Sequence, residues 1–200
     1  MNDNYSDVIE FWFGDDLADI EKTQSLADRW FKKSNKFDDE IRLRFAHLPD
    51  RAKEGDLSHW LIVDDGLLAT VITLDQFPRN LFRNSPQAFA YDALSLERAE
   101  QAMALGLSDR LHPLKASFLL MPFEHSESLT HQQLCVDAMK RIAARSPEVW
   151  QDRIQAFLRY AVAHYEIIDQ FGRFPHRNEI LGRTSSEEEL KFLESGRGRF

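Results

Sequence analysis

The segment 121–127 places two acids and an imidazole beside a proline, in the order Met-Pro-Phe-Glu-His-Ser-Glu. Carboxylates can raise the pKa of a neighbouring imidazole, so His125 could act as a general base or bind a metal ion. Glu124 and Glu127 are three residues apart and would share a face of a helix, where either could orient the ring. The alternative is structural, because Ser126 could cap a helix whose first turn favours acids. The spacing leaves both interpretations open.

A second polar motif occurs twice in the chain. Residues 75–80 read Asp-Gln-Phe-Pro-Arg-Asn, and residues 169–178 read Asp-Gln-Phe-Gly-Arg-Phe-Pro-His-Arg-Asn. Both copies start at the expected end of a helix and keep the same order of Asp-Gln-Phe, Pro and Arg-Asn. We call them the first and the second elbow. The repeat indicates either duplication of a helix pair or chance similarity.

The acid that opens each elbow is expected to lean toward the core. Asp75 and Asp169 share helical faces with apolar residues, and each lies near a helix C-terminus, which disfavours negative charge. A buried carboxylate needs a compensating cation, and Arg79 and Arg173, four residues further on, are the nearest candidates. Pairing across the two elbows is equally possible. Such a pair either fastens a chain reversal or presents the arginine fork to an anionic ligand.

Three further residues carry chemistry but also fit a structural role. His164 lies among apolar residues at helical spacing, which favours a hydrogen-bonded histidine at the core edge over a ligand. His176 lies in the basic second elbow, where either role is equally compatible with the sequence. Cys135 has apolar neighbours and is interpreted as part of the core. The sequence has no His-Glu-x-x-His, phosphate-binding loop, dinucleotide-binding glycine motif or Gly-x-Ser-x-Gly, so neither a metal nor a cofactor is predicted.

The charge of the chain is unevenly distributed. The formal net charge is −8, which disfavours nucleic acid and anionic membranes as partners. Residues 1–40 hold most of the excess acid, whereas residues 170–183 hold three arginines against one glutamate. A local positive site on an acidic protein favours a small anionic partner.

Composition restricts the class of protein further. The 200 residues are 43% hydrophobic and include 15 Phe, which is typical of a folded chain with a substantial core. A single cysteine excludes an intramolecular disulfide. No basic region followed by an apolar one opens the chain, and no apolar run reaches the roughly 18 residues of a membrane span. We therefore expect a soluble, cytoplasmic protein.

The elements that must hold these residues are predicted to be helices almost throughout. Residues 66–77 are apolar on nearly all sides, which is typical of a central helix. A Ser-Pro pair before and a glycine after frame helices between residues 85 and 106 and between residues 146 and 172. Ser185 and Glu188 have the spacing of a capping box. We expect one all-α domain over residues 1–200, with about nine helices in antiparallel pairs.

These segments resemble a family of bacterial proteins, domain-of-unknown-function family 924. The stretches that carry the resemblance are residues 29–31, 74–80, 88–92, 122–127, 164–178 and 181–188. It covers nearly the whole chain. The resemblance implies a tetratricopeptide-like, all-helical fold and implies no activity.

Our leading hypothesis is one polar pocket in which both elbows and residues 124–127 meet. It would bind a small anionic molecule through a carboxylate or phosphate, or a peptide through its terminus. The expected ligand-binding residues are Asp75, Arg79, Asn80, Arg83, His164, Asp169, Arg173, Arg177 and Asn178.

Two alternatives stay open. An enzyme, with or without a metal, could catalyse hydrolysis or proton transfer with His125 or His176 as general base. Glu124 or Glu127 would then orient the ring, and the arginines would hold an anionic substrate. A protein-interaction scaffold would instead use the motifs for structure alone. The sequence decides neither between these hypotheses nor on the oligomeric state.

Overall fold

A computed structural model describes residues 3–196, so both ends of the predicted 1–200 domain lie outside the described residues. Within that range the chain forms twelve α-helices and three short 3-10 helices, and no β-strand. The all-α prediction is therefore confirmed. The helices outnumber the nine expected because prolines and short turns divide several stretches. The described residues group into two compact units, one of residues 3–83 and 87–105, the other of residues 84–86 and 106–196.

The first unit contains six α-helices and a 3-10 helix at Ser58–Ile62. Its α-helices are α1 (Tyr5–Phe13), α2 (Ile20–Phe31), α3 (Asn35–Phe45), α4 (Leu48–Glu54), α5 (Asp64–Leu81) and α6 (Asp92–Ala104).

Helix α5 forms the centre of the first unit. Every residue from Gly66 to Pro78 is buried, as the apolar pattern predicted for a central helix. Helices α1, α3, α4 and α6 and the 3-10 helix all pack against it. Gly66 permits the close approach of the 3-10 helix, because a Cβ atom at that position would lie 2.2 Å from the carbonyl oxygen of Trp60.

The first elbow is helical, although the helix was expected to end within it, near Phe77. Helix α5 continues through Pro78 to Leu81. A proline inside a helix cannot donate its backbone hydrogen bond. Two side chains of the elbow bind carbonyl groups one turn earlier, since Arg79 donates to the carbonyl of Asp75 and Asn80 to that of Gln76. These bonds support the helix around the proline.

The second unit also contains six α-helices, with a 3-10 helix at Pro175–Arg177. They are α7 (Leu107–Arg110), α8 (Pro113–Leu119), α9 (Met121–Glu124), α10 (Leu129–Arg145), α11 (Glu148–Phe171) and α12 (Glu187–Glu194). Helices α10 and α11 pack along each other, and both contact α8 and α9.

The ends of the helices in the second unit follow local signals, with two shifts. Helix α11 ends before Gly172, as predicted, and this glycine adopts the left-handed conformation at φ 67°. Helix α10 begins after Ser128, two residues later than the expected cap at Ser126. The capping box joins Ser186 and Glu189, not Ser185 and Glu188. The run Ser-Ser-Glu-Glu-Glu satisfies the box in either register, so the sequence alone does not select one.

The finer architectural predictions are not decided by these observations. Tetratricopeptide-like pairing of the helices and a single domain over the whole chain stay predictions. No described helix has the length and apolarity that crossing a membrane requires.

Candidate functional site

The arginine of the first elbow binds two carboxylates of its own unit. Arg79 donates to both oxygens of Asp92, at 2.9 and 3.2 Å, and its Nη2 lies 3.5 Å from Oδ1 of Asp75. Asp75 is 1% exposed, as expected for an acid that leans toward the core. Although burial disfavours the charge, the carboxylates of Asp75 and Asp92 raise the pKa of Arg79. The expected pairing of Asp75 with Arg79 is confirmed, and Asp92 is an additional partner.

A cation three residues after the first elbow is bound in the same manner. Arg83 donates from Nε and Nη2 to the two oxygens of Asp38, at 2.6 and 2.9 Å. Its Nη2 also donates to the side-chain carbonyl of Asn80 at 2.7 Å. Asp38 lies in α3, so this bidentate pair links α3 to the end of α5.

The second elbow corrects two predictions. Asp169 is exposed and does not lean toward the core. The buried stripe of α11 runs through Phe157, Ala161, His164 and Ile168, and a helix turns the next residue out toward solvent. The expected pairing of Asp169 with Arg173 is also wrong, because Arg173 binds Glu189.

The pairing of Arg173 with Glu189 organises the turn after α11. Arg173 donates to Oε1 and Oε2 of Glu189 at 2.6 and 2.8 Å, and Asn178 donates to Oε2 at 3.3 Å. The same carboxylate accepts the backbone N–H of Ser186 in the capping box. Hydrogen bonds from Arg173 and Ser186 lower the pKa of Glu189 to about 2. Arg173 and Asn178, which were predicted to bind a ligand, therefore both donate hydrogen bonds to Glu189.

The carboxylate of Glu127 binds two segments of the same unit, at Phe174 and at Arg183. It accepts two hydrogen bonds from Arg183, at 2.7 and 2.9 Å, and one from the backbone N–H of Phe174 at 2.8 Å. Although burial opposes the shift, these donors lower the pKa of Glu127. Glu127 would share a face with Glu124 only if the segment were helical, and α9 ends at Glu124.

Three imidazoles, a phenyl ring and a guanidinium lie together between α9, α11 and the second elbow. The ring of His164 lies 6.2 Å from that of His125 and 5.5 Å from that of Phe174, which in turn lies 5.5 Å from His176. The guanidinium carbon of Arg177 lies 4.5 Å from the centroid of Phe174. We call these five residues, with Glu124, the imidazole cluster.

His164 lies on the inner side of the cluster. It is 5% exposed, and its Nδ1–H donates to the carbonyl of Tyr160 at 2.8 Å, which confirms the hydrogen-bonded histidine expected from the sequence. Oε1 of the buried Glu124 lies 3.3 Å from the same nitrogen. In the neutral ring, Nε2 is then the acceptor nitrogen.

Two of the three imidazoles are held neutral at physiological pH. Burial lowers the pKa of His164 to about 3, with the nearby His125 and Arg177 acting in the same direction. Burial, Arg177 and His125 lower the pKa of His176 to about 4, whereas Glu127 opposes the shift. His125 and His176 are half-buried, so the outer side of the cluster reaches the protein surface.

The cysteine and the potential metal ligands do not form a site among the described residues. Cys135 is fully buried, and burial raises the pKa of its thiol well above the usual value, so the core interpretation is confirmed. Among residues 3–196, no group of three or more His, Cys, Asp or Glu side chains is arranged to hold a metal ion.

The structure brings together some of the predicted site residues and adds others. His125, His164, His176 and Arg177 meet in the second unit, whereas Asp75, Arg79, Asn80 and Arg83 belong to the first. Meeting of the two elbows in one pocket stays a prediction.

Sequence reasoning missed the carboxylates that bind the elbow arginines. Those of Asp38, Asp92 and Glu189 lie 45, 13 and 16 residues from their arginines. Only Glu189 had a local signal, as a possible member of the capping box. The other two pairings depend on which helices pack together, which no local pattern reports.

The fold is all-helical, and an arginine of each elbow binds a carboxylate of another helix, Arg79 that of Asp92 in α6 and Arg173 that of Glu189 in α12. Residues 8–197 match the family described as bacterial protein of unknown function, DUF924, and the chain belongs to that family. It is also similar to the solved structure of the protein of unknown function ATU0120 from Agrobacterium tumefaciens. That likeness has 32% sequence identity and a TM-score of 0.80, and it covers 96% of this chain and 97% of the other. No curated protein matches the chain.

Proposed function

We propose that the imidazole cluster binds a small anionic group, such as a carboxylate, a sulfate-like or phosphate-like group, or a peptide C-terminus. The observation that carries the proposal is the placement of Arg177 beside two imidazoles that are neutral at pH 7. Arg177 is 7% exposed, and its guanidinium lies over the ring of Phe174. A buried guanidinium attracts anions strongly because little water screens its charge.

The neutral imidazoles supply the second half of the argument. An anion that lies within about 4–6 Å of an imidazole raises its pKa by about 1–3 units. For His176, with a pKa of about 4 in the free protein, that shift would bring protonation into the mildly acidic range. Ligand binding would therefore be accompanied by proton uptake, and the anion would gain a second cationic partner.

The other arginines predicted to bind a ligand have a different role in this proposal. Arg79, Arg83 and Arg173 each bind a carboxylate of the chain through two nitrogen atoms. An external anion would have to displace that carboxylate and leave it without its partner. We therefore assign these three arginines to holding the helices and turns, as in the scaffold alternative. The assignment of Arg177 to the ligand depends on its position beside the neutral imidazoles.

A titration followed by NMR tests the proposal. Sulfate added to the full chain should shift the imidazole Cε1–H signals of His125 and His176 and raise the pKa of His176. Arg177→Lys should weaken sulfate binding about tenfold, because a point charge replaces the planar fork. The matched control is Arg159→Lys, at an exposed position of α11 in the same unit. Equal weakening by both variants, or unshifted imidazole signals, would contradict the assignment.

An enzyme of the hydrolase or proton-transfer type is the second candidate function. It is supported by the neutral state of His176, whose ring can accept a proton at pH 7. A pKa of about 4 makes that ring a weak base, so the geometry supports binding better than catalysis. His125→Gln and His176→Gln in a hydrolase and metabolite screen separate the two. Turnover that disappears while sulfate still binds would favour the enzyme, as would a stoichiometric metal in the purified chain.

A further inference from the structure

An open cavity of about 320 Å³ lies in the first unit, remote in sequence from the imidazole cluster. It is lined by residues of α1, α2 and α3 and by the turn after α1: Glu10, Phe11, Gly14, Asp15, Leu26, Arg29, Glu40 and Arg44. Its volume is at the lower end of the range of small-molecule sites. None of its residues belongs to the elbows or to the segment 121–127.

Two guanidiniums are held against the wall of this cavity by aromatic rings. The guanidinium carbon of Arg44 lies 4.9 Å from the centroid of Phe11 and 4.8 Å from that of Phe45. The corresponding atom of Arg29 lies 5.2 Å from Phe11 and 4.6 Å from Phe37. Stacking on a ring face restricts a long side chain, so both cations are oriented before any ligand arrives.

The charges of the lining differ in how they are satisfied. Arg29 donates to Glu40 at 3.0 Å, so these two charges neutralise each other. Arg44 makes only the ring contacts among the described side chains, and Glu10 has no ionic partner among them. Besides Asp15, which is also part of the lining, the cavity thus presents Arg44 and Glu10, a cation and an anion that line the same space and are more than 4 Å apart.

We propose that this cavity binds a small zwitterion of the amino acid or dipeptide class with an apolar side chain. Arg44 would bind the carboxylate, Glu10 would bind the ammonium group, and the side chain would lie against Phe11 and Leu26. A simple anion would use only one of the two charges, and an apolar molecule would use neither. The two charges of the zwitterion are opposite in sign to those of Arg44 and Glu10, and its side chain matches Phe11 and Leu26 in polarity.

Calorimetric titration of the full chain with a panel of free amino acids and dipeptides tests this inference, with L-leucine and Leu-Leu as the first probes. Blocking one end of the ligand, as in N-acetyl-leucine or leucine amide, should weaken binding about tenfold. Arg44→Gln and Glu10→Gln should each weaken the binding of the free zwitterion to a similar extent. Arg44→Gln should lose its effect on leucine amide, and Glu10→Gln should lose its effect on N-acetyl-leucine.

Matched controls lie on the same helices. Arg42→Gln removes a cation of α3 that pairs with Asp39, and Asp7→Asn removes an exposed acid from the first turn of α1. Both should leave zwitterion binding unchanged. The inference is overturned if no member of the panel binds at millimolar concentration, if N-acetyl-leucine binds as well as leucine, or if the control variants weaken binding as much as the test variants. Circular dichroism of each variant verifies that the helices are retained.

Discussion

Oε1 of Glu124 lies 3.3 Å from Nδ1 of His164, and both side chains are buried. The carbonyl of Tyr160 accepts a hydrogen bond from that same nitrogen, so the hydrogen of the neutral ring is on Nδ1. The ring of His164 contacts both His125 and Phe174. This pair of residues therefore fixes the inner side of the imidazole cluster, against which the more exposed histidines are positioned.

The low pKa of His164 predicts that mild acid destabilises the protein. The pKa is about 3 in the folded chain and about 6.5 in the unfolded one, so the unfolded state binds more protons below about pH 6.5. The contribution of the neutral His164 to the free energy of unfolding is fully present above that pH and is lost as the pH falls toward 3. Between about pH 7.5 and pH 5, His164 should account for a loss of about 2 kcal/mol in the free energy of unfolding.

Urea unfolding at a series of pH values measures this loss. His164→Gln should reduce the pH dependence by about that amount, whereas His59→Gln, at an exposed position, should not change it. Glu189 contributes in a lower window, because its pKa of about 2 is below the unfolded value near 4.5. A wild-type stability that stays constant from neutral pH down to about pH 5 would contradict the burial of a neutral His164.

Arg79 should be required for stability and dispensable for anion binding. Arg79→Ala would leave the buried carboxylate of Asp75 without this cation, so we expect a loss of about 3 kcal/mol in the free energy of unfolding. Arg98→Ala removes the more exposed pair with Glu97 in α6 and should cost less than about 1 kcal/mol. Chemical denaturation compares the two variants. If Arg79→Ala is as stable as the wild type but no longer binds sulfate, the first elbow belongs to the ligand site.

Gly66 provides a test of the packing on α5. Gly to Ala inside a helix normally stabilises it by about 1 kcal/mol. Here the new Cβ would lie 2.2 Å from the carbonyl of Trp60, so Gly66→Ala should destabilise by about 2 kcal/mol or more. Gly172→Ala, at φ 67° and with open space around the new atom, should cost about 1 kcal/mol from backbone strain alone. A stabilised Gly66→Ala protein would contradict the contact between α5 and the 58–62 turn.

The sequence predicted the elements that depend on local patterns. The central position of α5 followed from its uninterrupted apolar residues, and the end of α11 followed from Gly172. The burial of Asp75 followed from the same helical face. Asp169 was misplaced because the buried stripe of α11 runs through His164 and Ile168, one position away from the face inferred from the sequence. An error of one residue turns a helical side chain by about 100°, enough to exchange core for solvent.

The candidate site was predictable only in part. His125, His164, His176 and Arg177 were identified because imidazoles and a guanidinium near acids and prolines are chemically conspicuous. The pairings of Arg83 with Asp38 and of Arg173 with Glu189 bring together residues from different parts of the chain, and the cavity lined by Glu10 and Arg44 brings together three helices. Their positions depend on how the apolar helix faces pack, and the spacing of the polar residues in the sequence does not predict that packing.

Proton uptake on anion binding tests the central claim most directly. Calorimetry with sulfate or N-acetylglycine, in two buffers of different ionisation enthalpy near pH 5.5, counts the protons that the protein binds with the ligand, because neither probe titrates there. We predict uptake of a substantial fraction of one proton and tighter binding as the pH falls from about 7 to 5.5, both abolished by His176→Gln. Binding with no proton uptake, or uptake that persists in His176→Gln, would contradict the assignment of the anion to the imidazole cluster.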